Sequence, residues 1–134
     1  MIVLPPQVVA DIIAHARERA PIEACGLLAG ADGVVKYSYR LTNRDASPEH
    51  FTLDPREQFA AAKDMRANGV EALAVYHSHP ATPARMSDED LRLAVAPGMK
   101  YVIVSLASEE PDIKCFSLTN GVPLEEPVSI AKDT

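Results

Sequence analysis

Leu73-Ala74-Val75-Tyr76-His77-Ser78-His79-Pro80 decides how the chain is read, together with Ser87 and Asp90 downstream. Its first four residues are apolar and open a strand. The next three carry two imidazoles two positions apart. In a strand, residues i and i+2 point to the same face, so His77 and His79 at the strand's end aim two nitrogens at one point. Asp90 follows a short loop and offers a carboxylate oxygen. Imidazole and carboxylate bind zinc at roughly 2.0–2.2 Å, and three protein ligands leave the fourth tetrahedral position to water, as in catalytic rather than structural sites. A metal held in this way lowers the pKa of its water to about 7.

Such chemistry still needs a group that takes and returns protons. Glu23 is the candidate, because it opens a short apolar run where burial would raise its pKa toward that task. Ser87 can donate its hydroxyl to the oxyanion that develops on a substrate carbonyl. Plainer readings exist for each residue. Ser87-Asp88-Glu89-Asp90 is also a capping-box pattern, and the two readings are compatible, since a cap fixes the helix start that presents Asp90. Glu23 taken alone would be a solvated carboxylate. His15, on the polar side of the first helix, and His50, in a loop, read as surface residues.

Other schemes fit less well. The zinc-deaminase pattern of HxE with PCxxC is missing. There is no HExxH and no Gly-rich phosphate loop. A hydrolase built on Cys25 stays open in principle, but it leaves the spacing of His, Ser and Asp unexplained.

Outward from the motif, the pattern gives a mixed order of elements. An apolar run at residues 1–4 is stopped by Pro5-Pro6. Val8, Val9, Ile12, Ile13 and Ala16 then recur at helical spacing, which predicts a helix over 6–20. Residues 23–30 read as a buried strand, Asp32-Gly33 as a hairpin turn and 34–41 as the partner strand. Residues 42–50 read as an exposed loop and 51–53 as a short strand. Asp54-Pro55 starts a second helix that runs to about Asn68, packed through Phe59, Ala62, Met65 and Arg66. After the motif, Ser87 begins a helix to about Val95, closed by Pro97-Gly98. Tyr101–Leu106 is almost continuously apolar, as a central strand would be. Strands over 113–118 and 122–130, joined at Asn120-Gly121, complete the chain, and the last residues are expected to fray. This order implies an α+β fold, an α/β sandwich with one sheet between helices.

Composition sets the outer bounds. The chain has 134 residues, which suits one domain, 1–134. A net charge of -6 without any Lys/Arg cluster disfavours nucleic acid and anionic membranes as partners. The N-terminus has no basic region and too short an apolar run for a signal peptide, and no segment approaches the ~20 apolar residues of a membrane span. The expected location is the cytoplasm. Cys25 and Cys115 lack CxxC spacing and read as two buried free thiols.

Glu23, then His77-Ser-His79-Pro80, then seven residues between His79 and Ser87, then Asp90, closely resembles the JAMM (MPN+) metallopeptidases in their short prokaryotic branch. Pro21-Ile-Glu-Ala-Cys-Gly-Leu-Leu-Ala-Gly30 resembles the family's strand carrying the catalytic glutamate. Asn43 and Phe51-Thr-Leu-Asp-Pro55 resemble its loop before the second helix. The resemblance covers nearly the whole chain and implies a curved mixed β-sheet flanked by helices, similar to the cytidine-deaminase architecture. It implies one Zn2+ per chain on His77, His79 and Asp90, with Glu23 activating the zinc-bound water and Ser87 stabilising the tetrahedral intermediate. The implied substrate is a ubiquitin-like or sulfur-carrier protein, cut at a peptide or isopeptide bond after its C-terminal glycine. Its Gly-Gly tail would lie along a sheet edge by strand addition. Alternatives are a general isopeptidase on lysine-linked modifiers and a non-catalytic MPN scaffold, and a homodimer is left open. The chain departs from many members in having Met86 before the serine. The step Pro97–Met99 leaves no room for the insertion with which large deubiquitinating members grip ubiquitin. Ser78 speaks against the branch that has Asn between the histidines.

Overall fold

A computed structural model of the protein describes residues 1–94 and 98–130. The strands are β1 (Ile2–Leu4), β2 (Cys25–Ala31), β3 (Val34–Leu41), β4 (Glu71–His79), β5 (Lys100–Ser105), β6 (Asp112–Thr119), β7 (Val122–Glu126) and β8 (Val128–Ile130). The helices are α1 (Pro6–Arg19), α2 (Pro55–Ala67) and α3 (Asp88–Leu93). Local chemistry sets most of these boundaries. Pro6 opens α1 at a position whose N–H would have no helical partner. The Asp54 carboxylate accepts the backbone N–H groups of Arg56 and Glu57 and caps α2. Asp32-Gly33 and Asn120-Gly121 take the left-handed conformation at both positions, with φ of 54° and 78° in the first turn and 52° and 77° in the second. That is what two-residue hairpin turns require.

All eight strands form one sheet in the order β7-β6-β5-β4-β2-β3-β1-β8. It is mixed: β4 and β5 run parallel, β1 runs parallel to β3 and β8, and the other pairs are antiparallel. The sheet curls until its two edge strands, β7 and β8, are separated in sequence by Pro127 alone.

Alternation along the strands sorts the core onto two faces. On one, Val8, Ile12 and Ala16 of α1 pack against Leu28, Val35, Ala74, Tyr76, Val102 and Val104. On the other, Ala61 and Met65 of α2 pack against Cys25, Leu27, Ala29, Leu41, Val75 and Tyr101. A smaller cluster of Ala84, Ile103 and Phe116, with Met86 against it, seats the loop that follows β4. Gly26 marks a close approach between strands. A Cβ there would lie 2.2 Å from the Tyr39 carbonyl oxygen and 2.3 Å from the Tyr76 ring. Gly26→Ala is therefore expected to destabilise the protein by about 3 kcal/mol, the upper end for overpacking, read as a lower urea midpoint.

The structure differs from the sequence pattern at several points. Residues 2–4 form a strand, because they pair with β8 and β3, partners remote in sequence. Residues 51–53 contribute a single bridge, Asn43 to Leu53, not a strand. The packed face of α2 is Ala61 and Met65; Phe59 is 69% exposed. The strand expected over 122–130 breaks at Pro127, which cannot donate to a ladder, and its two parts lie at opposite edges of the sheet. His15 is buried, not on the surface: its Nδ1 meets the Tyr76 hydroxyl at 2.6 Å under α1. Both cysteines are free and buried. The expected helix end at Val95, the closing Pro97, the start of the Pro97–Met99 step and the fraying tail at 131–134 lie outside the described residues. Among the described residues no helix is long and apolar enough to cross a membrane.

Candidate metal centre

The site is assembled at the end of β4. That strand lies between β2 and β5, so its backbone is paired on both sides as far as the two histidines. His77 faces Cys25 across the antiparallel ladder to β2. One step further, the Ser78 N–H donates to the Ala24 carbonyl at 3.0 Å and the Ala24 N–H donates to Ser78 Oγ at 2.7 Å. This reciprocal pair extends the register by one residue and brings Glu23 opposite His79. Alternation then puts Glu23, Cys25, His77 and His79 on the face that α2 covers.

Asp90 arrives from α3. Ser87 is the N-cap: its Oγ accepts the Asp90 N–H at 3.0 Å, while Asp90 Oδ2 accepts the Ser87 N–H at 2.9 Å. The capping box foreseen in the sequence is thus the device that turns the Asp90 carboxylate toward the histidines. The loop before it is pinned by the Ser105 hydroxyl, which donates to the Thr82 carbonyl at 2.6 Å. His79 Nδ1 lies 2.8 Å from the Pro83 carbonyl. A carbonyl can only accept, so Nδ1 donates to it, which leaves Nε2 as the nitrogen that can ligate once a metal ion displaces the proton it shares with Asp90.

Three donor side chains converge. His77 Nε2 and His79 Nε2 are 3.1 Å apart, His77 Nε2 is 3.1 Å from Asp90 Oδ1, and His79 Nε2 is 3.0 Å from Asp90 Oδ2. Bonds of about 2.0 Å to a tetrahedral zinc place donors roughly 3.3 Å from one another, so the set matches that ion in type and in spacing. All three side chains are buried. The Phe51 ring stacks on His77 with centroids 4.8 Å apart and shields that imidazole from water.

Electrostatics sort the roles. Burial lowers the pKa of His77, with the Asp90 hydrogen bond opposing it only in part. Burial would lower His79 too, but its bonds to Asp90 and to the Pro83 carbonyl outweigh that and raise it. Burial pushes Asp90 up, yet the hydrogen bonds from His77 and His79 carry it far below the usual carboxylate range. Glu23 behaves oppositely. Burial pushes it up to about 8, with His79 opposing and Asp90 adding to the rise. Its Oε1 is buried and has no hydrogen-bond partner. An unpaired carboxyl next to a ligand set can exchange a proton near neutral pH.

The structure brings together all five residues singled out in the sequence: Glu23, His77, His79, Ser87 and Asp90. It adds three whose part was not foreseen. Ser78, sandwiched between the ligands, ties the glutamate's strand to β4. Phe51 covers His77. Asn43 bonds to the backbone of Glu23 at 3.0 Å. Serine between two histidines, and the resemblance of Asn43 and Phe51-Thr-Leu-Asp-Pro55 to the family's loop before the second helix, were the signals available.

Residues 5–119 match the model of a family described as prokaryotic homologs of the JAB domain. The CysO-cysteine peptidase of Mycobacterium bovis is 33% identical to the chain over 135 residues, which covers 98% of this chain and 92% of that protein. The desampylase of Haloferax volcanii is 36% identical over 102 residues, covering 71% and 73%. The solution structure of protein DSY2949 from Desulfitobacterium hafniense superposes with a TM-score of 0.92 at 48% identity and covers 99% of this chain and 94% of that one.

Proposed function

The chain belongs to the family of prokaryotic homologs of the JAB domain, and from that membership and the site we propose that residues 1–134 act as one zinc-dependent peptidase domain. It hydrolyses the bond after the C-terminal glycine of a ubiquitin-like or sulfur-carrier protein. The observation that carries this reading is the convergence of His77 Nε2, His79 Nε2 and the Asp90 carboxylate beside the unpaired, buried Glu23 carboxyl.

His77, His79 and Asp90 would hold the zinc. When bound, zinc supplies Lewis acidity, which polarises a carbonyl and brings the pKa of water to about 7. Glu23 takes a proton from the attacking water and returns it to the leaving nitrogen. The Ser87 Oγ accepts a bond from Asp90 but keeps its own proton, which it donates to the oxygen that becomes negative in the tetrahedral intermediate. Phe51 keeps water off His77, and Pro83 holds His79 in the tautomer that ligates. A cavity of about 480 Å³ opens beside His79 and Ser87. A narrow, flexible tail suits such a recessed centre, and glycine lets the substrate backbone approach closely.

The linear substrate is favoured by the peptidase relative, whose match spans almost the whole chain. The desampylase match favours a second reading, cleavage of lysine-linked conjugates. Incubation of the zinc-loaded protein with a sulfur carrier extended beyond its Gly-Gly terminus, and in parallel with a lysine-linked conjugate, separates them by mass. The extended carrier is expected to lose its extension faster. Cleavage of an unrelated peptide with both substrates intact would overturn the substrate assignment.

A further inference from the structure

Glu23 lies two residues before the start of β2, where the ladder no longer holds its backbone. Both of its backbone groups are instead held by the loop at 42–53. Its N–H donates to the Ser47 carbonyl at 2.9 Å. Its carbonyl accepts from Asn43 Nδ2 at 3.0 Å. The same amide nitrogen donates to the His50 carbonyl at 3.0 Å and lies 3.5 Å from the Ser47 carbonyl. On its other side, Asn43 Oδ1 accepts the N–H of Asp45 at 3.0 Å and of Thr52 at 3.3 Å. One side chain therefore shapes the loop through its oxygen and fastens the loop to Glu23 through its nitrogen.

The Glu23 carboxyl oxygen Oε1 has no hydrogen bond of its own. A side chain without a partner is aimed by its backbone and by the walls around it. The Ser78–Ala24 pair fixes the residue that follows Glu23, and the Asn43 amide fixes Glu23 itself. We propose that Asn43 is a positioning residue, whose side-chain amide holds the Glu23 backbone so that the carboxyl points at the metal centre.

Asn43's role rests on the reading of Glu23 as the proton-transfer group. The informative variant is Asn43→Asp, which keeps the acceptor that shapes the loop and removes the donor that reaches Glu23. A displacement of about 1 Å at a reacting group costs on the order of 10²-fold in rate. The expected result is a kcat lower by 10- to 100-fold, with KM and zinc content unchanged. Asn43→Ala, which removes the same donor and adds no charge, is expected to lower kcat at least as far with KM and zinc content again unchanged, and gives the same reading if the Asp variant does not fold. Asp45→Ala is the control for loop disruption. Asp45 braces the loop through His50 and Thr52 but does not touch Glu23, so kcat should stay within about twofold of wild type. A kcat near wild type in both Asn43 variants, or an equal loss in Asp45→Ala, overturns the proposal. Glu23→Gln assayed alongside separates the two ideas. An active Glu23→Gln removes the proton-transfer role and Asn43's with it, whereas an inactive one with intact Asn43 variants removes only Asn43's.

Discussion

Glu23→Gln is expected to keep one zinc per chain and to lose turnover by roughly 10³-fold, the usual scale for removing a general acid–base group. The amide preserves shape but cannot take a proton. Because Glu23 is not among the converging donors, metal analysis should give the same stoichiometry as wild type. Turnover like that of wild type would remove Glu23 from the chemistry. The same variant should also be more stable than wild type without metal. Burial raises the folded pKa of Glu23 from 4.5 to about 8, so folding prefers the protonated carboxyl. Below about pH 4.5 both states are protonated and nothing is lost. As the pH climbs from 4.5 toward 8, the unfolded chain gains an ionised, solvated carboxylate and the folded state is penalised. Linkage puts that penalty at about 3 kcal/mol at pH 7. Gln removes it. Thermal midpoints of the two metal-free proteins should therefore coincide near pH 4 and separate up to pH 8, with the variant higher. Zinc should narrow the gap, since a cation next to the carboxyl favours its charged form.

Asp90→Asn should have the larger effect on metal: zinc content near zero and activity down by roughly 10⁴-fold or more, because the water loses the acidification that the ion provides. Asp90 is at once the anionic donor of the set and the partner of the Ser87 N–H. The amide oxygen can still accept from Ser87, so α3 should keep its start. What disappears is the charge that makes two imidazole nitrogens 3.1 Å apart tolerable as a divalent-cation site. Metal analysis and circular dichroism together check this. Full zinc with lost activity, or lost zinc with a lost fold, would each contradict it.

Much of this site could be read from the sequence because its signals are local. His77 and His79 share a face through the two-residue period of a strand, and Ser87 and Asp90 meet through the three-residue period of a cap. Glu23 is more than fifty positions away from His77, and neither period reaches it. A family resemblance suggested its proximity; the Ser78–Ala24 pair accounts for it. Where the sequence misled, a tertiary partner overrode a local pattern. His15 reads as polar because its helical neighbours are charged, yet Tyr76, on a strand 61 positions later, takes it into the core. Phe59 reads as core by type, but small Ala61 and long Met65 face the sheet and leave Phe59 outside. Ile2–Leu4 could not be read as a strand at all, since its partners are Val34 and residues 128–130.

That last pairing bears on the order in which the molecule is completed. The β1 strand leaves a ribosome well before β8, which pairs with it over Ile2–Val128 to Leu4–Ile130. Until β8 emerges, β1 can rest on β3 but shows an unguarded edge to every nascent chain nearby. Closing the sheet is thus a contact of very long sequence separation, the sort that slows folding, and it comes after the chain that bears the metal ligands has been made. The metal centre sits in the part of the sheet that can form early, so vectorial synthesis gives it time to settle before the two edges meet.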